Sequence, residues 1–393
     1  MTHPKHQFAT LAVHAGGEPD RQTGAIAPPI HLSTTYEHPA DTALLEGYIY
    51  QRYANPTQDR LEIALAALES AGSDQPAKAL FFATGMAAIS AMIARVKPGQ
   101  RVILADDGYF AARKLMSMEA HRIGFQLDLV DLTDASALQS AFSTPVDLVW
   151  AETPSNPLLK VTDIARLAAY CQAKRALLVV DATFATPALL KPLALGADVV
   201  MHSATKYMAG HSDCMGGALI MRDQTLFDSL YELRKLHGST ASPFSAWLTL
   251  RGLRSLPARL AWQCRSAAQI ADFLAAHPNV EKVHFPGLAS HPQHATANAQ
   301  MLEFGAMLSF EVRAEVNASA DHARASAIAV ASKLQLFINA TSLGSVESLV
   351  EHRQSAEGPT STTPPSLLRL SIGLEAAADL IADLGQALAL DNQ

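Results

Sequence analysis

Leu177–Tyr207, LLVVDATFATPALLKPLALGADVVMHSATKY, is the stretch from which the rest of the chain is read. It holds two short apolar runs, LLVV at 177–180 and DVVM at 198–201, each continuous rather than alternating. A continuous run of that length marks a strand buried on both faces, as in a parallel sheet covered by helices. Asp181 follows the first run, and Ser203, Thr205 and Lys206 follow the second. Ligands of open α/β sheets bind outside the carboxyl ends of the strands, so these side chains are expected to face one crevice. An acid and an amine meeting there have two readings. One is a buried ion pair with no chemical task. The other is a lysine that forms a Schiff base with pyridoxal phosphate, the acid pairing with the pyridine nitrogen and Ser203 and Thr205 bonding the phosphate.

The flanking sequence repeats the strand-then-helix pattern. VDLVWAETP and DIARLAAYCQAK read as a strand and a helix with Thr162 as its N-cap, and Glu152 and Asn156 in ETPSNP close that strand at the crevice. RVILADDGYF supplies a strand with Tyr109 at its carboxyl end, either a packing residue or a ring stacked on a flat cofactor. AKALFFA, then Thr84-Gly85-Met86, then AAISAMIARVKPG read as strand, glycine turn and helix start, an arrangement that binds phosphate through free backbone N–H groups. No GxGxxG or GxxxxGK[ST] occurs, which favours a phosphate monoester over a pyrophosphate. The alternation specifies an α/β class with a mostly parallel, doubly wound sheet.

Residues 1 to about 50 show no sustained periodicity and read as an extended arm that lies on another subunit. The arm ends in YIYQRYANPT, where Tyr50 and Arg52 fall to one side; Arg52 is either a solvated residue or a phosphate ligand. GGALIM adds a further strand, and past Ser242 a long helical stretch replaces the alternation. The remainder reads as strands NVEKVHF, AMLSFEVR, QLFINATS and LLRLSIG with two helices, a smaller α+β domain with an antiparallel sheet. The expected organisation is thus an arm over 1–52, an α/β domain over 53–242 and a C-terminal α+β domain over 243–393. Arg369 stands in an otherwise apolar strand, where it meets either a substrate carboxylate or a structural acid that the sequence does not identify.

At 393 residues, 49% hydrophobic and 17% charged, the chain is globular with a large core. A formal charge of −7 without a basic run argues against nucleic acid or an anionic membrane as partner. No apolar stretch reaches membrane-span length and the start lacks the apolar core of a signal peptide, so a cytoplasmic location is expected. Cys171, Cys214 and Cys264 are too few and too scattered for a disulfide framework or zinc cluster, and the histidines show no HExxH spacing, so no catalytic metal is expected.

YIYQRYANPT, ATGMAAI, ETPSNP, VVDATFATP, HSATKY, SLGSVESL and LLRLSIGLE, in this order, resemble the Cys/Met-metabolism family of pyridoxal-phosphate enzymes over nearly the whole chain. That family includes cystathionine γ-synthase, cystathionine γ-lyase, cystathionine β-lyase and methionine γ-lyase. The resemblance implies the aspartate-aminotransferase-like architecture of fold type I and a homotetramer built from two dimers. It implies Lys206 as the internal aldimine, Asp181 as the pyridinium partner and Tyr109 as the stacked ring and second acid/base. Ser203, Thr205, Gly85 and Met86 would hold the phosphate, with Tyr50 and Arg52 reaching over from a neighbouring subunit. Arg369, Asn156 and Ser342 would clamp the carboxylate of an amino-acid substrate. The expected reaction is γ-elimination or γ-replacement on cystathionine, homocysteine, methionine or an O-acylhomoserine, with β-elimination as the alternative and aminotransfer as the alternative of another class. The chain departs from the family's usual pattern at Phe110 and Ala111, at Thr341 and Ser345, and throughout EHRQSAEGPTSTTPPS.

Overall fold

The larger sheet is built from β1 (Lys78–Phe82), β2 (Arg101–Ala105), β3 (Gln126–Val130), β4 (Leu148–Glu152), β5 (Leu177–Asp181), β6 (Val199–His202) and β7 (Gly217–Met221). The computed structural model describes residues 6–41, 47–314, 318–359 and 361–389. The ends of the expected arm and C-terminal domain, 1–5 and 390–393, therefore lie outside the described residues.

The strand order is β1-β7-β6-β5-β4-β2-β3, with β3, β2, β4, β5 and β6 mutually parallel. GGALIM is the exception: β7 runs antiparallel to both β6 and β1. Successive residues of a strand serve opposite faces. Leu80 and Phe82 join one apolar cluster, Ala79 and Phe81 the other, and Trp150, Val179 and Val199 oppose Val149, Val180 and Val200 in the same way. This two-sided burial accounts for the unbroken apolar runs of the central strands. The edge strand β3 is largely unburied.

Helix ends follow local chemistry. Asn55 caps Pro56–Glu69 by accepting from Thr57 N, and Thr84 caps Gly85–Ile93 by accepting from Ala87 N at 3.0 Å. Thr162 does not cap the helix Ile164–Lys174. Asp163 does, accepting from Arg166 N, while Thr162 N is held by Thr153 Oγ1. The arm also departs from expectation, because Phe8–His14 is a helix whose Leu11 and Ala12 enter the main core. Seven residues are too few for a helical period to stand out, and tertiary burial stabilises what propensity alone would not.

The second sheet contains β8 (Val280–His284), β9 (Met307–Val312), β10 (Ile338–Asn339), β11 (Leu349–His352) and β12 (Leu367–Ser371), in the order β10-β11-β12-β9-β8. β11, in the sequence SLVEH, went unread in the sequence. QLFINATS contributes only the two residues of β10, and these pair parallel to β11, so the sheet is mixed rather than antiparallel. Leu308, Phe310, Leu368 and Leu370 join the core cluster that also contains Val149 and Val180, so the two sheets share one apolar interior.

Candidate active site

Parallel strands share a direction, so the carboxyl ends of β4, β5 and β6 reach one edge of the sheet, and the second sheet closes over it. The result is a cavity of about 230 Å³ lined by Gly85, Met86, Tyr109, Asn156, Asp181, Ser203, Thr205, Lys206, Ser342 and Arg369, among others. Two of the expected site residues are absent from that lining. Tyr50 is exposed, and Arg52 donates to Lys235 O at 3.0 Å with its guanidinium 5.5 Å from the Tyr50 ring and 5.1 Å from that of Tyr53.

Asp181 ends β5 opposite Glu152 of β4 in register. Thr183 holds Asp181 Oδ1 twice, through its N–H at 3.0 Å and its hydroxyl at 2.6 Å, and the Thr183 oxygen accepts from Ser203 N at 2.8 Å. Burial raises the Asp181 carboxyl above its ordinary value, opposed by the Thr183 bonds. Glu152 is raised much further, by burial and then by the charge of Asp181, although it accepts from Tyr109 N at 2.7 Å. Burial and the neighbouring carboxylate thus favour the protonated form more strongly at Glu152 than at Asp181. Asp181 Oδ2 accepts no hydrogen bond from the described residues, so this buried carboxylate presents an acceptor without a cation, which is what a protonated pyridine nitrogen would satisfy.

Lys206 Nζ donates to Ser342 Oγ at 2.7 Å. Burial first, and the positive charge of Arg369 second, bring its amine down to about 8. Such an amine is neutral often enough near neutral pH to attack an aldehyde. Ser342 sits at φ 103°, a left-handed backbone conformation that a non-glycine residue rarely adopts and that is concentrated at functional sites.

The residues expected to hold a phosphate gather between the start of the helix Gly85–Ile93 and the end of β6. Gly85 and Met86 begin that helix, so their N–H groups have no intrahelical acceptor. A Cβ on Gly85 would stand 3.1 Å from Ser203 Oγ, a clearance that favours glycine here. Thr205 is more constrained than the sequence suggests: its hydroxyl donates to Gly216 O at 3.2 Å and accepts from Gly216 N at 3.0 Å. Its proton is thereby committed to the loop, which it fixes along one wall of the cavity. Free N–H donors, a serine hydroxyl, an acid without a cation and a lysine of lowered pKa together match the needs of pyridoxal phosphate.

Arg369 is 4% exposed; Nη1 donates to Asn156 Oδ1 at 3.0 Å and Nη2 to Ser342 O at 3.0 Å. Nη2 also meets Glu351 Oε2 at 2.8 Å, so the unidentified structural acid is Glu351, directly across from Arg369 on β11. Both readings of Arg369 thus have a physical basis, a structural acid on one side and an open pocket on the other. Burial lowers this guanidinium to about 10, which leaves it charged at neutral pH. Tyr109 packs edge-on to Phe110, centroids 5.3 Å apart, and burial pushes its phenol above the ordinary value, so it holds its proton. Glu351, Arg353 and Thr183 were missed in the sequence. The signal for Glu351 was an acid at alternate spacing in SLVEH, and for Thr183 the hydroxyl two residues past Asp181. Cys214 lies outside this cavity, its Sγ 3.7 Å from Thr249 Oγ1.

The sequence model of the family described as Cys/Met metabolism PLP-dependent enzyme matches residues 9–389. The chain is 42% identical over 386 residues to the cystathionine gamma-synthase of Mycobacterium tuberculosis, covering 97% of this chain and 96% of that protein. It is 38% identical to the cystathionine beta-lyase of Coxiella burnetii, covering 98% of each. The crystal structure of cystathionine gamma synthase from Xanthomonas oryzae pv. oryzae in complex with cystathionine superposes with a TM-score of 0.90 at 42% identity, covering 98% of each chain.

Proposed function

The chain belongs to the Cys/Met-metabolism PLP-dependent enzymes, and from that premise we propose that it catalyses γ-elimination or γ-replacement on cystathionine, homocysteine, methionine or an O-acylhomoserine. The observation that carries this reading is the meeting of Lys206, Asp181 and Arg369 in one pocket: an amine, an acid for a ring nitrogen, and a receptor for a carboxylate. Pyridoxal phosphate, when bound, supplies an electron sink for negative charge at the substrate Cα.

The chain's own residues would do the rest. Arg369, braced by Asn156 and Ser342, orients the substrate carboxylate so that the Cα proton faces Lys206. Lys206 Nζ takes that proton as the general base and, in γ-chemistry, moves a second one at Cβ. Asp181, fixed by Thr183, would pair with the ring nitrogen and favour its protonated form. Tyr109 covers the ring and offers its retained proton to the departing group. Gly85, Met86 and Ser203 hold the phosphate, and Thr205 fixes the loop behind it. Tyr50 and Arg52 complete that phosphate site from a neighbouring subunit, in a homotetramer of two dimers; the exposure of Tyr50, and the place of both outside their own chain's cavity, support this. The free thiols Cys171, Cys214 and Cys264 favour a reducing, cytoplasmic setting.

The similarity to a cystathionine beta-lyase favours β-elimination as the second reading. The test is product identification after incubating the cofactor-loaded enzyme in deuterium oxide with cystathionine, homocysteine, and O-succinylhomoserine plus cysteine. 2-Oxobutanoate, or cystathionine bearing deuterium at Cα, is the expected result, with deuterium also at Cα of the recovered substrate. Pyruvate would replace this reading with β-elimination, a keto-acid-dependent half reaction would indicate aminotransfer, and no Cα exchange would remove the enzymatic reading.

A further inference from the structure

Arg353 is 2% exposed yet lines the same cavity as Lys206 and Arg369, and the reaction outlined above gives it no task. It follows β11 within EHRQSAEGPTSTTPPS. Its Nη1 donates to Glu351 Oε2 at 2.5 Å, the same oxygen that accepts from Arg369 Nη2 at 2.8 Å. Its Nη2 donates to Glu357 Oε1 at 3.0 Å, and its guanidinium lies 5.8 Å from the Phe110 ring centroid. Glu357 Oε2 in turn accepts from Ser361 Oγ at 2.6 Å and Thr363 Oγ1 at 2.8 Å.

Two guanidiniums and two carboxylates thus form one buried chain, Arg369–Glu351–Arg353–Glu357, with no net charge. The arrangement matters because Arg369 has to receive a further carboxylate. Facing Arg369 alone, Glu351 would form a closed pair with it, and an incoming carboxylate would have to break that pair. Shared with Arg353, Glu351 engages Arg369 through a single oxygen. Without Arg353 the cluster would hold two carboxylates against one guanidinium, a net negative charge where an anion is to bind. We propose that Arg353 is a positioning residue for carboxylate recognition, holding Glu351 and Glu357 so that Arg369 can accept the carboxylate of an amino-acid substrate. This rests on the carboxylate role given to Arg369 above.

The test is calorimetric titration of the cofactor-loaded enzyme with norleucine, which has no leaving group at Cγ, and with 1-aminopentane, the same chain without the carboxylate. Arg353→Met is expected to weaken norleucine about tenfold or more, the scale of a charged hydrogen bond, while 1-aminopentane stays within about threefold. Adding Glu351→Gln in the same protein should bring norleucine back to within about threefold of wild type, because the cluster is again neutral. Arg353→Lys, which keeps the charge and loses the fork, should fall between, and it makes the same comparison should Arg353→Met not fold. Equal weakening of both ligands, no weakening of either, or a double variant no better than Arg353→Met would each overturn the proposal and leave the role of Arg369 standing. Wild-type enzyme that holds norleucine no better than 1-aminopentane would overturn that role and this inference with it.

Discussion

Lys206 should cost the empty protein stability, and Lys206→Met measures that cost. An amine brought from an ordinary 10.5 down to about 8 has its charged form disfavoured by roughly 3 kcal/mol in the folded state. The sign follows from proton linkage. Below pH 8 both folded and unfolded chains carry the ammonium, and the full penalty of burying it is present. Between about pH 8 and 10.5 the unfolded chain binds more protons, so this contribution to stability rises with pH, and above 10.5 the penalty is gone. Methionine has similar length and no charge, but its introduction loses the hydrogen bond to Ser342 Oγ, worth about 1 kcal/mol. The variant without cofactor should therefore be more stable than wild type by roughly 1–2 kcal/mol at pH 7, with the advantage shrinking towards zero by about pH 10. Denaturant melts of both cofactor-free proteins at the two pH values provide the comparison, and the variant should be folded and inactive. A Lys206→Met protein less stable than wild type at pH 7, or a difference that does not change with pH, would refute the argument that this lysine is held as a strained, partly neutral amine.

Gly85→Ala places a methyl 3.1 Å from Ser203 Oγ, so cofactor affinity should fall about tenfold through displacement of one phosphate donor, read by absorbance titration. Arg369→Lys keeps a charge but cannot reach Asn156, Ser342 and Glu351 together; KM for the amino-acid substrate should rise at least about tenfold with a smaller change in kcat. Arg52→Ala should weaken cofactor retention in the assembled protein, checked by dialysis and phosphate analysis, and unchanged retention would remove the contact across subunits.

Most of the sheet was legible because its central strands are buried on both faces, and that burial leaves an unbroken apolar run in the chain. Lys206 and Asp181 were legible for a related reason: a polar residue just past such a run must lie at the strand's carboxyl end. β11 was not legible, since SLVEH mixes apolar and charged residues and its place in the second sheet depends on β12 beside it. The helix Phe8–His14 was hidden by its brevity, and its stability comes from Leu11 and Ala12 meeting a core assembled from distant segments.

Local sequence by itself therefore determined which segments become buried strands and which reactive groups end them, because backbone geometry and side-chain burial leave periodic traces within a few residues. Tertiary structure alone decided how those groups are charged and partnered. The register of β4 with β5 sets Glu152 beside Asp181, so the charge of Asp181 adds to burial in raising the Glu152 carboxyl. The register of β11 with β12 sets Glu351 against Arg369 and lets Arg353 share it. Electrostatic coupling acts through space between residues far apart in the chain, and the spacing of residues along a sequence carries no record of it.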